Sequence, residues 1–130
     1  MIKYVTPKLA EQCAQDIIDF LLKHKMWIDT FVYVNGCCYS CQGPDGHYHY
    51  GNTRDCVFKY TEEDPRKYFE YVNEEHFVSM SFEGPLYDLV NFFYFDDASE
   101  KLEEEFSQIF KKYGYYYQIG NAWNLTAYKI

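Results

Sequence analysis

Trp27-Ile28-Asp29-Thr30-Phe31-Val32-Tyr33-Val34-Asn35-Gly36-Cys37-Cys38-Tyr39-Ser40-Cys41 is the stretch that decides the fold. Trp27 to Val34 is rich in β-branched and aromatic residues, which suit a pleated, half-buried surface. Asn35-Gly36 then offers the two residues that tolerate positive φ in a type I′ turn, so the chain is predicted to reverse into a second strand over Cys37 to Cys41. A tight hairpin of this kind commits the sheet to antiparallel pairing.

Before the hairpin, Thr6-Pro7 supplies an N-cap and a proline at the first helical position. Leu9, Ala10, Cys13, Ala14, Ile17, Ile18, Leu21 and Leu22 then recur at three- and four-residue spacing, which predicts an amphipathic helix to about Lys25. Lys23, His24 and Lys25 lie where cations suit the negative end of its dipole.

After the hairpin, Gly43-Pro44-Asp45-Gly46 breaks the chain, and short strands are expected around His47 to Tyr50 and Cys56 to Tyr60. Glu62-Glu63-Asp64-Pro65 interrupts again, and Tyr68 to Val72 and Phe77 to Phe82 read as extended. In the latter run Val78, Met80 and Phe82 face one way and Ser79, Ser81 and Glu83 the other. Gly84-Pro85 ends that strand and opens a short helix through Leu86, Leu89, Val90 and Phe93.

Asp97 with Glu100 three residues on has the spacing of a capping box, and Leu102, Phe106, Ile109, Phe110 and Tyr113 form one helical face behind it. Lys111 and Lys112 close this helix, with Gly114 as its stop. The segment from Tyr115 to Ile130 reads as a hairpin turning at Gly120-Asn121, with Trp123, Leu125 and Ala127 alternating against Asn124, Thr126 and Tyr128.

These elements describe one α+β domain over residues 1–130: an antiparallel sheet of short strands and hairpins, packed by an N-terminal helix and a helix in the C-terminal half. A chain of 130 residues fits a single domain with a real core. Apolar residues at 48% and aromatic residues at 22% exclude a disordered chain despite a net charge of −8. There is no leader pattern at Met1 to Pro7 and no run of apolar residues long enough to span a bilayer, so no membrane association is expected. The cysteines, at positions 13, 37, 38, 41 and 56, are odd in number and read as thiols or metal ligands in a reducing, cytoplasmic setting.

Charge is unevenly placed. Residues 60 to 105 carry fourteen acids against three bases, a net −11, while the rest of the chain is +3. Glu62, Glu63, Asp64, Glu70, Glu74, Glu75, Asp96, Asp97, Glu100, Glu103, Glu104 and Glu105 are the candidate acidic surface. Such a surface repels phosphates, which argues against direct nucleic-acid binding, and attracts basic protein surfaces. If the carboxylates share a face, the domain would act as a DNA mimic, occupying the groove of a nucleic-acid-binding protein as small acidic phage and plasmid proteins do. The same acids also serve as a solvated face that keeps an aromatic-rich protein in solution. With fifteen tyrosines, some phenol rings are expected at the surface, and Tyr68, Tyr71 and Tyr87 are candidate anchors for a partner.

A second candidate lies in the cysteine and histidine segment. Cys38 and Cys41 have the C-x2-C spacing of a zinc site, which His47 or His49 together with Cys56 would complete. The alternative is a buried cysteine beside loop histidines. No cofactor is expected beyond this zinc option. For catalysis, His47, His49 and His76 are the candidate bases for a Cys41 or Cys56 nucleophile, and Glu83 with Asp88 forms a candidate carboxylate pair. No nucleophile elbow, phosphate-binding glycine loop or dinucleotide fingerprint occurs. The expectation is therefore a non-enzymatic acidic module for a basic protein partner, with a structural or self-associating domain as a further alternative.

Overall fold

The computed structural model describes residues 6–68, 77–91 and 96–130. Helix α1 runs over Pro7–Lys23, capped by the Thr6 hydroxyl, which accepts from the Leu9 N–H at 3.2 Å. Strands β1 (Thr30–Val34) and β2 (Cys37–Ser40) form the expected hairpin, with Asn35 at φ 51° and Gly36 at φ 73° in its turn. Strands β3 (Phe58–Thr61) and β4 (Ser79–Phe82) follow. Helices α2 (Pro85–Val90) and α3 (Asp97–Lys111) precede the closing hairpin of β5 (Tyr115–Asn121) and β6 (Asn124–Lys129).

The six strands form one antiparallel sheet in the order β3-β2-β1-β4-β6-β5. Strand β4 joins the two hairpins: Met80 sits opposite Val32 on one side and Leu125 on the other. Those three side chains lie on one face and are fully buried. Helix α1 covers this face with Cys13, Ala14, Ile17, Ile18 and Leu21, and α3 with Phe106 and Phe110. Burying an aliphatic or aromatic side chain of this size stabilises the fold by about 1.5–3 kcal/mol each, so this layer contact is the main source of stability.

The helices also meet each other. The Phe20 and Phe106 rings are 5.6 Å apart, and Asp16 accepts from the Tyr113 hydroxyl at 2.6 Å and pairs with Lys112 at 3.1 Å. Glu103 accepts from the Tyr117 hydroxyl at 2.5 Å, fixing α3 to β5.

Several boundaries differ from the sequence reading. The cap of α3 is Asp96, whose carboxylate accepts from the Ser99 N–H at 2.7 Å; Asp97 is already helical, because the acceptor three residues before Ser99 is Asp96. The last hairpin turns at Ala122-Trp123 and not at Gly120-Asn121, where the strand instead carries an irregularity in register. Asn124 holds this tighter turn by donating to the Asn121 side chain at 2.5 Å. His47 to Tyr50 forms only a bridge between Gln42 and Tyr48, and Cys56 belongs to a 3-10 turn over Arg54–Cys56. Tyr68 caps a 3-10 turn over Pro65–Lys67 in a helical conformation and is not extended. Residues 69–72 and Phe93 lie outside the described residues.

Candidate functional site

The acidic residues fall into two separate groups. Glu62, Glu63 and Asp64 follow β3, at one edge of the sheet, whereas α3 packs against β5, at the other edge. Glu63 and Asp64 have local partners: Glu63 accepts from the Tyr68 hydroxyl at 2.6 Å, and Asp64 caps the following 3-10 turn and pairs with Arg66 at 2.9 Å. On α3, Asp96 is a cap and Glu103 is held by Tyr117 and by the Ser107 hydroxyl at 2.7 Å. Asp97, Glu100, Glu104 and Glu105 face solvent, with Glu105 3.7 Å from His24. Glu70, Glu74 and Glu75 lie outside the described residues, as does Tyr71.

The cysteines separate by strand alternation. Cys38 belongs to a small cluster with Tyr33, Phe31 and Tyr60 on the face of the sheet away from the helices, while Cys41 is fully buried in the core beneath them. Burial, then the charge of Glu63, pushes the Cys38 thiol up to about 12. Burial likewise raises Cys41. His47 is exposed, and His49 lies 3.3 Å from Asp45 with its ring against Phe58. Asp45 is held below the usual carboxylate range by the His47 N–H and then by His49. Among the described residues no three His, Cys, Asp or Glu side chains come together as a metal site requires.

Cys56 is half-exposed and its surroundings contain no histidine partner among the described residues. Its modest burial opposes ionisation, but hydrogen bonds from the Thr53 hydroxyl, 3.7 Å away, and from the backbone of Thr53 and Gly51 outweigh it, so the thiol sits below its ordinary value. His76 lies outside the described residues. Glu83 is exposed and Asp88 half-buried in the first turn of α2.

The larger feature is one that the sequence reading missed. Among the described residues no α-helix packs on the second sheet face, where Phe31, Tyr33, Cys38, Tyr60 and Ser81 alternate with the core residues of β1 to β4. They floor a groove of about 730 Å³. The loop after β2 contributes Gln42, Pro44 and Tyr48 to its lining, and Asp29, Glu63, Tyr68, Glu83 and Trp123 contribute to it as well. The Tyr60 hydroxyl donates to the Gln42 carbonyl at 2.6 Å, tying the floor to that loop, and the Tyr33 and Tyr68 rings are 5.7 Å apart.

The groove has a defined electrostatic character. Its lining includes the acidic residues Asp29, Glu63 and Glu83, and among the described residues that line it there is no lysine, arginine or histidine. Asp29 stands at φ 52° and accepts from the Tyr50 hydroxyl at 2.7 Å, and its carbonyl accepts from the Glu83 N–H at 3.1 Å, which brings the two acids to one end. The signal available in the sequence was the aromatic pair Phe31 and Tyr33 at positions opposite to Val32 and Val34, which makes both faces of β1 apolar and calls for a second cover.

Comparison of the chain with protein-family models, with curated proteins and with solved structures found no significant match. No helix among the described residues is long and apolar enough to cross a membrane.

Proposed function

We propose that this protein is a non-enzymatic module that binds a basic protein surface. The observation that carries this reading is the charge of −11 over residues 60 to 105, together with the solvent-facing row Asp97, Glu100, Glu104 and Glu105 on α3. Residues three and four apart on a helix lie on one side of it, so Asp97, Glu100 and Glu104 present a line of negative charge broken only by Lys101 beside it. That charge speeds association with cationic surfaces and disfavours contact with nucleic acid itself. A partner that normally binds a phosphate backbone would meet this row as a DNA mimic. The separation of the β3 acids from α3 supports action through the helix row and not through one continuous acidic face.

The test is capture of partners from nuclease-treated lysate of the source cell, at about 50 and about 200 mM salt, where surface electrostatics are increasingly screened. The comparison is a variant with Asp97→Asn, Glu100→Gln, Glu104→Gln and Glu105→Gln, which leaves Glu103 in place because it fixes Tyr117. A basic protein held at low salt, released at the higher salt and lost with the variant is the expected result. Retention by both proteins, or insensitivity to salt, would return these acids to a role in solubility.

A further inference from the structure

We propose that the groove on the second sheet face binds the guanidinium group of an arginine presented by a basic partner, an inference that rests on the reading above. Its volume of about 730 Å³ falls in the range of specific binding sites. Phe31, Tyr33 and Tyr60 line its floor, and Tyr48, Tyr68 and Trp123 stand around it. Among the described residues Tyr48, Tyr68 and Trp123 are large apolar side chains left exposed. Exposed rings around a concave surface are suited to stacking a planar cation, because the ring face is electron-rich.

The charge complement points the same way. Asp29 and Glu63 are each oriented by a tyrosine hydroxyl, from Tyr50 and Tyr68, and Glu83 sits beside Asp29 through a backbone hydrogen bond. Each hydroxyl occupies one site on its carboxylate and leaves the remaining acceptor positions for a second donor. Arginine fits this lining better than lysine, since its planar, weakly hydrated head both stacks on aromatic faces and bonds carboxylates through a fork of donors. An anionic ligand would meet the repulsion of these three carboxylates, whereas a cation is attracted by them.

The experiment is a titration of isotope-labelled full-length protein with a blocked peptide carrying a single arginine between glycines, followed by backbone amide shifts. The control peptide carries citrulline, which keeps the shape and removes the charge. The expected result is saturable shifts at Phe31, Tyr33, Tyr60 and Ser81, with affinity falling at least about tenfold for the citrulline peptide and for a Glu63→Gln/Glu83→Gln double variant. Glu83 is exposed and glutamine at 63 keeps an acceptor for Tyr68, so this variant retains the fold. Equal binding of both peptides, shifts confined to α3, or no saturable shift would each overturn the proposal. The α3 variant described above is titrated in parallel: loss of its partner with peptide binding intact separates the helix row from the groove, and groove failure with salt-sensitive capture intact overturns the groove alone.

Discussion

The indole N–H of Trp27 donates to the carbonyl of Cys56, 2.9 Å away, and so pins the 51–57 loop to the approach of β1. The same residue's backbone N–H donates to the Asn52 side chain at 2.9 Å, with Asn52 itself at φ 54°. Trp27 is fully buried, so replacing the indole leaves the Cys56 carbonyl without its donor, while the backbone bond to Asn52 is kept. Trp27→Phe is expected to cost about 2–3 kcal/mol, combining the orphaned carbonyl with lost packing volume. Urea unfolding followed by far-UV circular dichroism gives the stability change. Amide exchange should show Cys56 and Val57 losing protection before the strands do; uniform loss would mean that the tryptophan supports the whole core and not this loop in particular.

Gly84 sits where the end of β4 passes the chain entering β1. A Cβ there would fall 2.3 Å from the Ile28 carbonyl oxygen, a backbone atom that cannot swing aside. Gly84→Ala is expected to destabilise by about 1–3 kcal/mol or more, the range for forced overpacking. Gly46 meets nothing within 4 Å but lies at φ 82°, so Gly46→Ala should cost only the conformational strain of about 1 kcal/mol. Equal costs for the two alanines in chemical denaturation would show that the Ile28 contact relaxes freely.

Elements governed by local chemistry were legible from the residues. Asn35-Gly36 placed the first turn, Thr6-Pro7 the first cap, and the spacing of Phe106 and Phe110 the buried face of α3. Local competition defeated the finer assignments: Asp96 and Asp97 are both competent caps, and only the Ser99 N–H decides between them. At Gly120-Asn121 a plausible turn pair lost to Ala122-Trp123 because Asn124 bonds back to Asn121.

What depends on distant pairing was not legible. The groove exists because β1 pairs with β4, bringing Ser81 beside Phe31, and because the loop after β2 folds back over Tyr60. Neither relation leaves a periodic trace. The C-x2-C spacing of Cys38 and Cys41 suggested convergence, yet three residues along an extended chain turn successive side chains to opposite faces. The acids were visible as a count, but their partners Tyr68, Tyr117 and Arg66 were not, and these decide which carboxylates face solvent.

The tyrosines make stability depend on alkaline pH. Tyr113 and Tyr117 have their phenols pushed above the usual range by burial and then by hydrogen bonds to Asp16 and Glu103, and Tyr39 by burial and then by Glu11. Tyr33 is raised by burial and then by Cys38. A raised folded value means that the stability these groups contribute is complete below the unfolded value of about 10 and is lost as pH climbs from there through the folded values. The unfolding free energy should therefore be flat up to about pH 10 with respect to these groups and fall above it. Absorbance at the phenolate band, followed with circular dichroism, should show part of the tyrosine set ionising only as the fold is lost. Tyr113→Phe and Tyr117→Phe should each make the decline shallower; full ionisation within intact structure would contradict the assignment.

The five free thiols should differ in reactivity along the same physical lines. Attack on an alkylating reagent requires the thiolate and access to it. Cys13 and Cys38 are buried with thiols pushed up to about 12, and Cys41 is raised by burial, so none of the three ionises readily. Cys56 is half-exposed and lowered, and Cys37 at the start of β2 is the half-exposed comparison. Substoichiometric iodoacetamide at about pH 7.5 should label Cys56 ahead of the three buried thiols, with the labelled site read by peptide mass spectrometry. Because its thiol is lowered, the Cys56 rate should level off with rising pH earlier than that of a free cysteine thiol of pKa about 8.5. Thr53→Val removes the hydroxyl beside the sulfur and should slow Cys56 about threefold while leaving the rate at Cys37 unchanged. Labelling of Cys13 or Cys38 first would mean that the core opens faster than the reagent reaches the 51–57 loop, and would place the weakest packing under α1 or on the groove floor.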